Sequence, residues 1–195
     1  SLDVSKNTVL QNLFAHQNQL TSLNLKNGNN VAILGMYAYS NPNLTCIQVD
    51  NASASYSNWI KDDAVSYSEN CNAVVNIPDA NFKAYLVGNS AINKSGDSEI
   101  QVSEAEAFTG TIDCSNRNIE DLTGIEAFTK ITVLYAYQNQ LTTLDVSKNT
   151  ALTALRVWSN QLTTLDVSKN TALIRLDVSE NLTTLDVSKN TALQI

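Results

Sequence analysis

A nine-residue segment, LDVSKNTAL, recurs along this 195-residue chain and constrains its fold more strongly than any other feature. The segment stands at Leu144–Leu152, Leu165–Leu173 and Leu185–Leu193, and the variant LDVSKNTVL occupies Leu2–Leu10. The first two identical copies begin 21 residues apart. Self-similarity at a fixed period indicates a solenoid, in which each unit buries its apolar face only against its neighbours.

Each period contains a second apolar step, at Leu134, Leu155 and Leu176 late in the chain and at Leu13 and Leu34 early in it. Successive side chains of a strand point to opposite faces, so Leu155 and Val157 should face the core while Arg156 and Trp158 face outward. Coils that stack about 4.8 Å apart would align equivalent residues along the solenoid. The core layer predicted for one coil is Leu144, Val146, Leu152, Leu155, Val157 and Leu162.

Asparagines recur where the coils should turn, at Asn149, Asn160 and Asn170. We predict that their amides satisfy backbone groups that otherwise lack partners in those turns. One spacing departs from the period, because Leu165 and Leu185 are only 20 residues apart. A residue is missing before Leu182 relative to Leu162, so we expect the last coil, around SENL at Ser179–Leu182, to pucker.

The unit that starts at Leu152 reads LTALRVWSNQLTTLDVSKNTA. It resembles the leucine-rich repeat family in its short 21-residue bacterial form, with two strand-like halves per turn. The resemblance covers roughly residues 1–46 and 112–195. It implies a repeat solenoid of mostly short β-strands and turns on a secreted or cell-surface protein.

The middle of the chain interrupts the repeat and divides the sequence into three parts. Residues 1–72 are predicted to hold the end of a first array and its C-terminal cap, because Asn43–Cys71 is polar, Ser-rich and similar to the caps of bacterial surface leucine-rich repeat proteins. Residues 73–111 are predicted to form a short α-helical N-terminal cap. Residues 112–195 are predicted to form a second array.

Two of the three cysteines, Cys46 and Cys71, bracket the predicted C-terminal cap. Their pairing would close a loop of about 25 residues and stabilise the fold by roughly 3 kcal/mol in the chain-entropy model. Cys114 occupies an inward strand position and is expected to be a buried free thiol. This usage favours an oxidising, extracellular compartment.

The helical cap carries local start signals. Pro78 and Asp79 precede a helix-like pattern, and Ser103 is a candidate N-cap with Glu106 at the capping-box position. Between these segments, Asn93–Glu104 resembles the EF-hand calcium loop. The resemblance assigns the metal-ligand positions to Asn93, Ser95, Asp97, Glu99 (through its carbonyl), Gln101 and Glu104.

The EF-hand-like loop departs from its family at two positions. Asn93 replaces the usual Asp, and Ser98 stands where the sharp turn prefers Gly. Only Asp97 and Glu104 bring charged ligand oxygens, so any Ca²⁺ binding should be weak. The alternative is a polar helix–helix loop without a metal.

The outward positions of the two predicted halves differ in character. The LDVSKN half repeats Asp and Ser in every copy, which favours a solvated face. The other half varies and is aromatic-rich, and its last copy carries Asp177 and Ser179. We predict a ligand-binding face on this variable half, formed by Phe14, His16, Tyr37, Tyr39, Tyr135, Tyr137, Arg156 and Trp158. The alternative is that these rings only stabilise the stack.

Charge and composition exclude several functions. The net charge of −7 argues against nucleic acid and anionic membranes, and no apolar run approaches the roughly 20 residues of a membrane span. The single histidine, His16, lies near no recognisable Ser or Cys nucleophile motif, and no Gly-rich phosphate loop occurs. The sequence therefore predicts a protein that is not an enzyme.

The sequence favours an extracellular recognition or adhesion module that presents its aromatic face to a protein or glycan partner. A structural module that assembles head to tail into a filament or stalk is the alternative, since heterologous contacts that do not close form fibres. An appendage on an enzyme is a third possibility, because both ends fall inside a repeat and we expect the chain to be part of a longer protein.

Calcium titration tests the EF-hand-like loop. If the loop binds Ca²⁺ in the sub-millimolar to millimolar range, calcium should raise the melting temperature of the protein, because a ligand of the folded state stabilises it. A melting temperature that does not move at several millimolar calcium would remove the hypothesis.

Overall fold

The computed structural model describes residues 1–178, 180 and 182–194 as a stack of coils joined by short strands. The strands are β1 (Leu2–Asp3), β2 (Asn12–Phe14), β3 (Leu23–Asn24), β4 (Gly35–Tyr37), β5 (Cys46–Gln48), β6 (Trp59–Ile60), β7 (Ser66–Ser68), β8 (Thr111–Asp113), β9 (Val133–Tyr135), β10 (Ala154–Arg156) and β11 (Arg175–Asp177). The helices are α1 (Ala80–Val87) and α2 (Val102–Ala107), with 3-10 turns at Asn30–Ala32 and Ile125–Ala127.

The strands form three parallel sheets. Sheet 1 contains β1, β3, β5 and β7, sheet 2 contains β2, β4 and β6, and sheet 3 contains β8, β9, β10 and β11 in this spatial order. In sheet 3, Ile112, Leu134, Leu155 and Leu176 lie in register on successive strands. Like residues therefore stack over like, which confirms the solenoid predicted from the period.

Alternation along the strands places the apolar residues inside the stack. Leu155 and Val157 are fully buried, whereas Arg156 and Trp158 are partly exposed, as predicted. Of the predicted core layer, all residues are buried except Leu144, which is half-buried and packs against the core.

The apolar residues form two separate cores. One gathers buried residues of the first array, from Val4 to Val65, and the other extends from Val75 to Leu173. The residues of the helical cap, among them Phe82 and Leu86, belong to the second core. The change of core thus falls between Tyr67 and Val75.

The register of the first array differs from the one that the sequence suggested. Leu13 pairs with Met36 across β2 and β4, and Leu34 is 62% exposed. The 3-10 turn at Asn30–Ala32 lies in the loop before β4, and the coil is longer there than the 21-residue period allows. Met36, which is fully buried, therefore takes the core position expected for Leu34.

Residues 43–71 extend the first array as well as closing it. The segment contributes β5, β6 and β7, which continue sheets 1 and 2 by parallel pairing. Trp59 pairs with Met36, stacks on Tyr56 at 4.1 Å between ring centroids, and donates its indole N–H to the Ile33 carbonyl at 3.2 Å. A large aromatic core residue here ends the regular leucine pattern without ending the stack.

The LDV segment forms a strand in the first array but not in the second. In the first array the LDV segment forms β1, which pairs with β3. In the second array the LDV segments at 144–146, 165–167 and 185–187 form no strand among the described residues. Backbone pairing therefore joins the coils of the second array on the side of sheet 3.

Buried asparagines join the turns of the second array. The Asn149 side-chain amide donates to the carbonyls of Ile125 (2.8 Å) and Phe128 (3.0 Å) in the preceding coil. The Asn170 amide donates in the same way to Val146 and Asn149, both at 2.9 Å. In the neighbouring turn, the Asn160 amide donates to the Ala136 carbonyl at 3.0 Å. The predicted role of these asparagines in satisfying the backbone is confirmed.

The pucker predicted for the last coil depends on residues 179 and 181, which lie outside the described part of the chain. The outward position of Ser179 falls there as well. The next turn is regular, since the Asn190 amide donates to the carbonyls of Val167 and Asn170 at 2.9 Å.

The first helix, α1, begins where the sequence predicted, but the second helix, α2, does not. Asp79 caps α1, and its carboxylate accepts the N–H groups of Asn81 and Phe82 at 2.9 Å. The prediction of Ser103 as the N-cap of α2 is wrong, because the helix begins two residues earlier, after Gln101. The Glu104 carboxylate accepts the Gln101 N–H at 3.0 Å, so Glu104 and not Glu106 holds the capping-box position.

The register of the first array predicts a contrast between two substitutions. Met36→Ala should lower the free energy of unfolding by about 2–5 kcal/mol, because it leaves a cavity in a fully buried layer. Leu34→Ala should change it by less than about 0.5 kcal/mol. Urea unfolding followed by circular dichroism measures both, and a larger loss for Leu34→Ala would contradict this register.

Candidate functional site

The aromatic residues predicted for the second array stack on one another across sheet 3. The rings of Tyr137 and Trp158 are parallel within 6°, with centroids 4.6 Å apart. The Arg156 guanidinium lies over the Tyr135 ring at 4.9 Å. Parallel pairing of β9 with β10 places Tyr135 beside Arg156 and so builds these contacts. All four side chains are partly exposed.

The first array carries a second ladder across sheet 2. Phe14 stacks on Tyr37 with ring centroids 5.1 Å apart, and His16 stacks on Tyr39 at 4.8 Å. Phe14 is 68% exposed, and Ile60, which pairs with Tyr37 on β6, is 50% exposed. This ladder contains no arginine, in contrast to the ladder of sheet 3. The eight predicted face residues thus form two ladders, four on each array.

A contact between the helical cap and the second array adds two residues, Tyr85 and Arg117, that the sequence did not indicate. The Arg117 guanidinium lies 4.8 Å from the Tyr85 ring centroid, and the Tyr85 hydroxyl accepts the Asp113 N–H at 3.0 Å. Burial raises the pKa of Tyr85 above its ordinary value. Tyr85 lies on α1 and Arg117 follows β8, and no sequence period relates them. The fold alone places this pair at the edge of sheet 3.

The constant Asp residues of the LDVSKN segments have a structural role. Asp145 accepts the Ser147 N–H at 2.8 Å, and Asp166 and Asp186 accept the Ser168 and Ser188 N–H groups at the same distance. These hydrogen bonds hold the pKa of each Asp below its ordinary value. The outward Asp residues therefore cap their own turns while facing solvent.

A shallow groove of about 760 Å³ lies along the unpaired side of the second array. Its lining includes Leu144, Leu165 and the carboxylate-bearing Asp145 and Asp166. The groove exists because strand pairing does not close this side of the stack.

The EF-hand-like loop is closed by its own hydrogen bonds. The Asn93 amide N–H groups donate to the carbonyls of Val87 (3.0 Å) and Asp97 (2.8 Å). The Glu104 carboxylate, which is 3% exposed, accepts the N–H groups of Ser95 at 2.7 Å and Gln101 at 3.0 Å. Glu99 forms an ion pair with Lys83 at 2.7 Å.

These contacts bear on whether the loop fits a calcium ion. The side-chain oxygens of Asn93, Asp97 and Glu104 already accept hydrogen bonds inside the loop, and no group of three or more His, Cys, Asp or Glu side chains in the described part of the chain could hold a metal. The oxygens predicted to bind the ion thus take part in hydrogen bonds that shape the loop. Calcium binding stays a prediction for titration.

The EF-hand-like loop has a buried apolar residue at the position where the EF-hand pattern has one. Ile100, at the apolar position of the EF-hand pattern, is fully buried. Its carbonyl accepts the Val75 N–H at 2.8 Å, and Val74 and Gln101 form an antiparallel bridge. The loop is therefore tied to the chain that joins the two arrays.

The cysteines take the positions predicted from the sequence. Cys46 and Cys71 form a disulfide that links β5 to the turn after β7. Cys114 is a buried free thiol, and burial raises its pKa to about 12. The thiol is thus protonated and inert at neutral pH. No helix in the described part of the chain is long and apolar enough to cross a membrane.

Comparisons with known proteins agree with this architecture. The family model described as the LRR domain of endo-beta-N-acetylglucosaminidase EndoS matches residues 97–193. Internalin J of Listeria monocytogenes serotype 4b (strain F2365) is 41% identical over 73 residues, which is 37% of this chain and 8% of that protein.

Solved structures of internalins are similar as well. The functional domain of InlJ from L. monocytogenes, which includes a cysteine ladder, matches 63% of this chain and 28% of its own length at 39% identity, with a TM-score of 0.55. The internalin inlF of L. monocytogenes strain 4b F2365 matches 60% of this chain and 35% of its own, at 24% identity and a TM-score of 0.50, and shows the fold alone. The chain thus spans well under half of each of these relatives.

Parallel coils, an asparagine-bonded turn in each coil and an outward ladder define a β-solenoid of leucine-rich repeats. The fold is thus a leucine-rich repeat solenoid, and the chain is similar to bacterial leucine-rich repeat proteins, with internalins among its structural neighbours.

The hydrogen bonds of Glu104 predict a contrast within one helix. Glu104→Gln should lower the free energy of unfolding by about 1.5–3 kcal/mol, because it weakens two charge-assisted hydrogen bonds to backbone N–H groups. Glu106→Gln, on the exposed face of the same helix, is the matched control and should cost less than about 0.5 kcal/mol. Chemical unfolding of both variants checks this, and equal losses would contradict the assignment of the capping box.

Proposed function

We propose that this chain is a non-catalytic, extracellular recognition module that binds a protein or glycan partner through its aromatic face. The observation that carries the proposal is the ladder on sheet 3. Tyr137, Trp158 and Arg156 are stacked in fixed positions yet remain partly exposed. Tyr, Trp and Arg are the residue types that dominate the energetics of protein interfaces.

The outward residues vary on one half of each coil and repeat on the other, which also supports the sheet 3 side as the binding face. The LDVSKN half repeats because its Asp, Ser and Asn side chains bond the turns, so its outward residues are fixed by structure. The outward positions of the strand half differ from coil to coil, and Tyr135, Arg156 and Trp158 contact their neighbours there through their rings and the guanidinium. A rigid stack that presents varied side chains suits recognition, since ordering them costs little on binding.

An extracellular location is supported by the disulfide between Cys46 and Cys71, because disulfides persist in oxidising compartments. The location is a proposal for this chain, as is the absence of catalysis. The buried thiol of Cys114 is protonated and enclosed, so it offers no nucleophile for a reaction.

Substitution of the ladder tests the proposed function. The variant Tyr135→Ser/Tyr137→Ser/Trp158→Ser should lose at least about tenfold in affinity for partners found on an array of purified extracellular proteins and glycans. Its melting temperature should fall only modestly, because an aromatic pair contributes about 0.5–1.5 kcal/mol. The control Lys148→Ser/Lys169→Ser/Lys189→Ser changes three exposed turn residues and should bind like the parent.

Two results would contradict this function. Unfolding of the ladder variant would show that the rings serve the stack. Unchanged binding would show that the partner uses another surface. An apparent particle mass of the parent protein that rises with protein concentration in light scattering would instead favour the structural alternative, in which copies assemble head to tail.

A further inference from the structure

A small notch opens on the surface of the first array, between the chain that leads into β4 and the chain that leads into β6. Its volume is about 280 Å³. Val31 and Leu34 line it from one coil, and Tyr56 and Trp59 line it from the next. Among the described residues, no charged side chain belongs to this lining. The notch is thus a neutral site on a molecule whose net charge is −7.

Two extra residues in one coil produce the notch. The coil between Leu13 and Met36, which pair across β2 and β4, is two residues longer than the 21-residue period. The 3-10 turn at Asn30–Ala32 takes up the extra length. At this point Val31 is 89% exposed and Leu34 is 62% exposed. The insertion therefore places two aliphatic side chains on the surface.

The aromatic wall of the notch has no hydrogen-bond donor left for a ligand. Tyr56 and Trp59 stack with ring centroids 4.1 Å apart. The Trp59 indole N–H donates to the Ile33 carbonyl at 3.2 Å, and the Tyr56 hydroxyl donates to the Asn51 carbonyl at 2.8 Å. Because each ring has a single polar hydrogen and uses it inside the protein, this wall offers a ligand mainly apolar contact.

The exposed aliphatic residues of the notch are grouped. Exposed apolar side chains need no explanation when they are scattered singly. Val31 and Leu34 differ because they share one concave site with two stacked rings. Ser55 and Ser57, which are exposed, add polar groups to the same lining. Apolar contacts at the centre with polar groups around them are typical of protein–protein interfaces.

The size of the notch favours a single side chain as the occupant. Sites that enclose a whole small-molecule ligand occupy about 300–1,000 Å³, and the notch, at about 280 Å³, is smaller. Its position places a protein partner within reach of it. Leu34 directly precedes β4, and Asn58 of the lining directly precedes β6. On these strands Tyr37 is partly exposed and Ile60 is 50% exposed. A protein that covers Tyr37 and Ile60 therefore lies beside the notch.

We propose that the notch binds one uncharged aliphatic side chain, such as that of leucine, which projects from the surface of a protein partner. Removal of that side chain from water is the driving force. A charged occupant is disfavoured, because it would lose its hydration without gaining an ion pair. The notch does not include the sheet 3 ladder, so this site goes beyond the proposed function and does not depend on it.

Two amides of nearly the same shape test the site. N-acetyl-leucine amide should shift the backbone amide resonances of Val31, Leu34 and Trp59 in NMR spectra of the full chain, saturably and at millimolar concentration. N-acetyl-asparagine amide, which is polar, should bind at least about tenfold more weakly. Leu34→Ser should weaken binding of the leucine amide at least about fivefold. The matched control is Val9→Ser, since Val9 is 86% exposed and lies outside the notch.

The control Val9→Ser should bind the leucine amide like the parent. Both variants change exposed side chains, so their melting temperatures should match that of the parent. The absence of saturable shifts, equal binding of the two amides, or equal losses in Leu34→Ser and Val9→Ser would overturn the proposal. So would a particle mass that rises with protein concentration for the parent but not for Leu34→Ser, because the occupant would then be a second copy of this chain.

The ladder variant Tyr135→Ser/Tyr137→Ser/Trp158→Ser separates this proposal from the proposed function. It should bind the leucine amide like the parent, because the ladder and the notch lie in different arrays. If it loses its array partners while the leucine amide fails to bind the parent, the recognition face stands and the notch proposal is wrong. If it keeps its array partners while the leucine amide binds as expected, the notch proposal stands alone.

Discussion

A single coil of this protein is too thin to enclose an apolar core, so its order depends on hydrogen bonds to the next coil. On sheet 3 these are backbone bonds, such as those from the Ala136 N–H to the Arg156 carbonyl at 2.9 Å and from the Val157 N–H to the Asp177 carbonyl at 2.8 Å. At the turns the side chain of Asn170 takes over this role. The leucine layers pack because these bonds fix the register.

The same constraint separates structure from recognition around each coil. Turn residues of the LDVSKN half must repeat, because each Asp accepts a hydrogen bond from a backbone N–H of its own turn and each Asn donates hydrogen bonds to carbonyls of the coil before it. The strand half is held by backbone atoms, which leaves its outward side chains free to differ. Varied residues such as Arg156 and Trp158 can therefore stand on a rigid sheet without weakening the stack.

Periodicity made the fold and much of the candidate face predictable from the sequence. Tyr137 and Trp158 were placed together because a period of 21 residues puts one over the other. The sequence could not reveal contacts that have no period, such as Arg117 with Tyr85. It also misplaced Leu34, because a 3-10 turn lengthens one coil, and Ser103, because Glu104 reaches back to an earlier helix start. Both errors come from local geometry that composition does not encode.

Amide hydrogen exchange measures the central claim most directly. If coils stack through sheet 3 and remain open on the LDV side, the amides of Ala136 and Val157 should exchange slowly, at the rate of global opening. The amides of Leu144 and Leu165, which line the groove, should exchange within minutes. Fast exchange at Ala136 and Val157, or equal protection on both sides of the coil, would contradict the account.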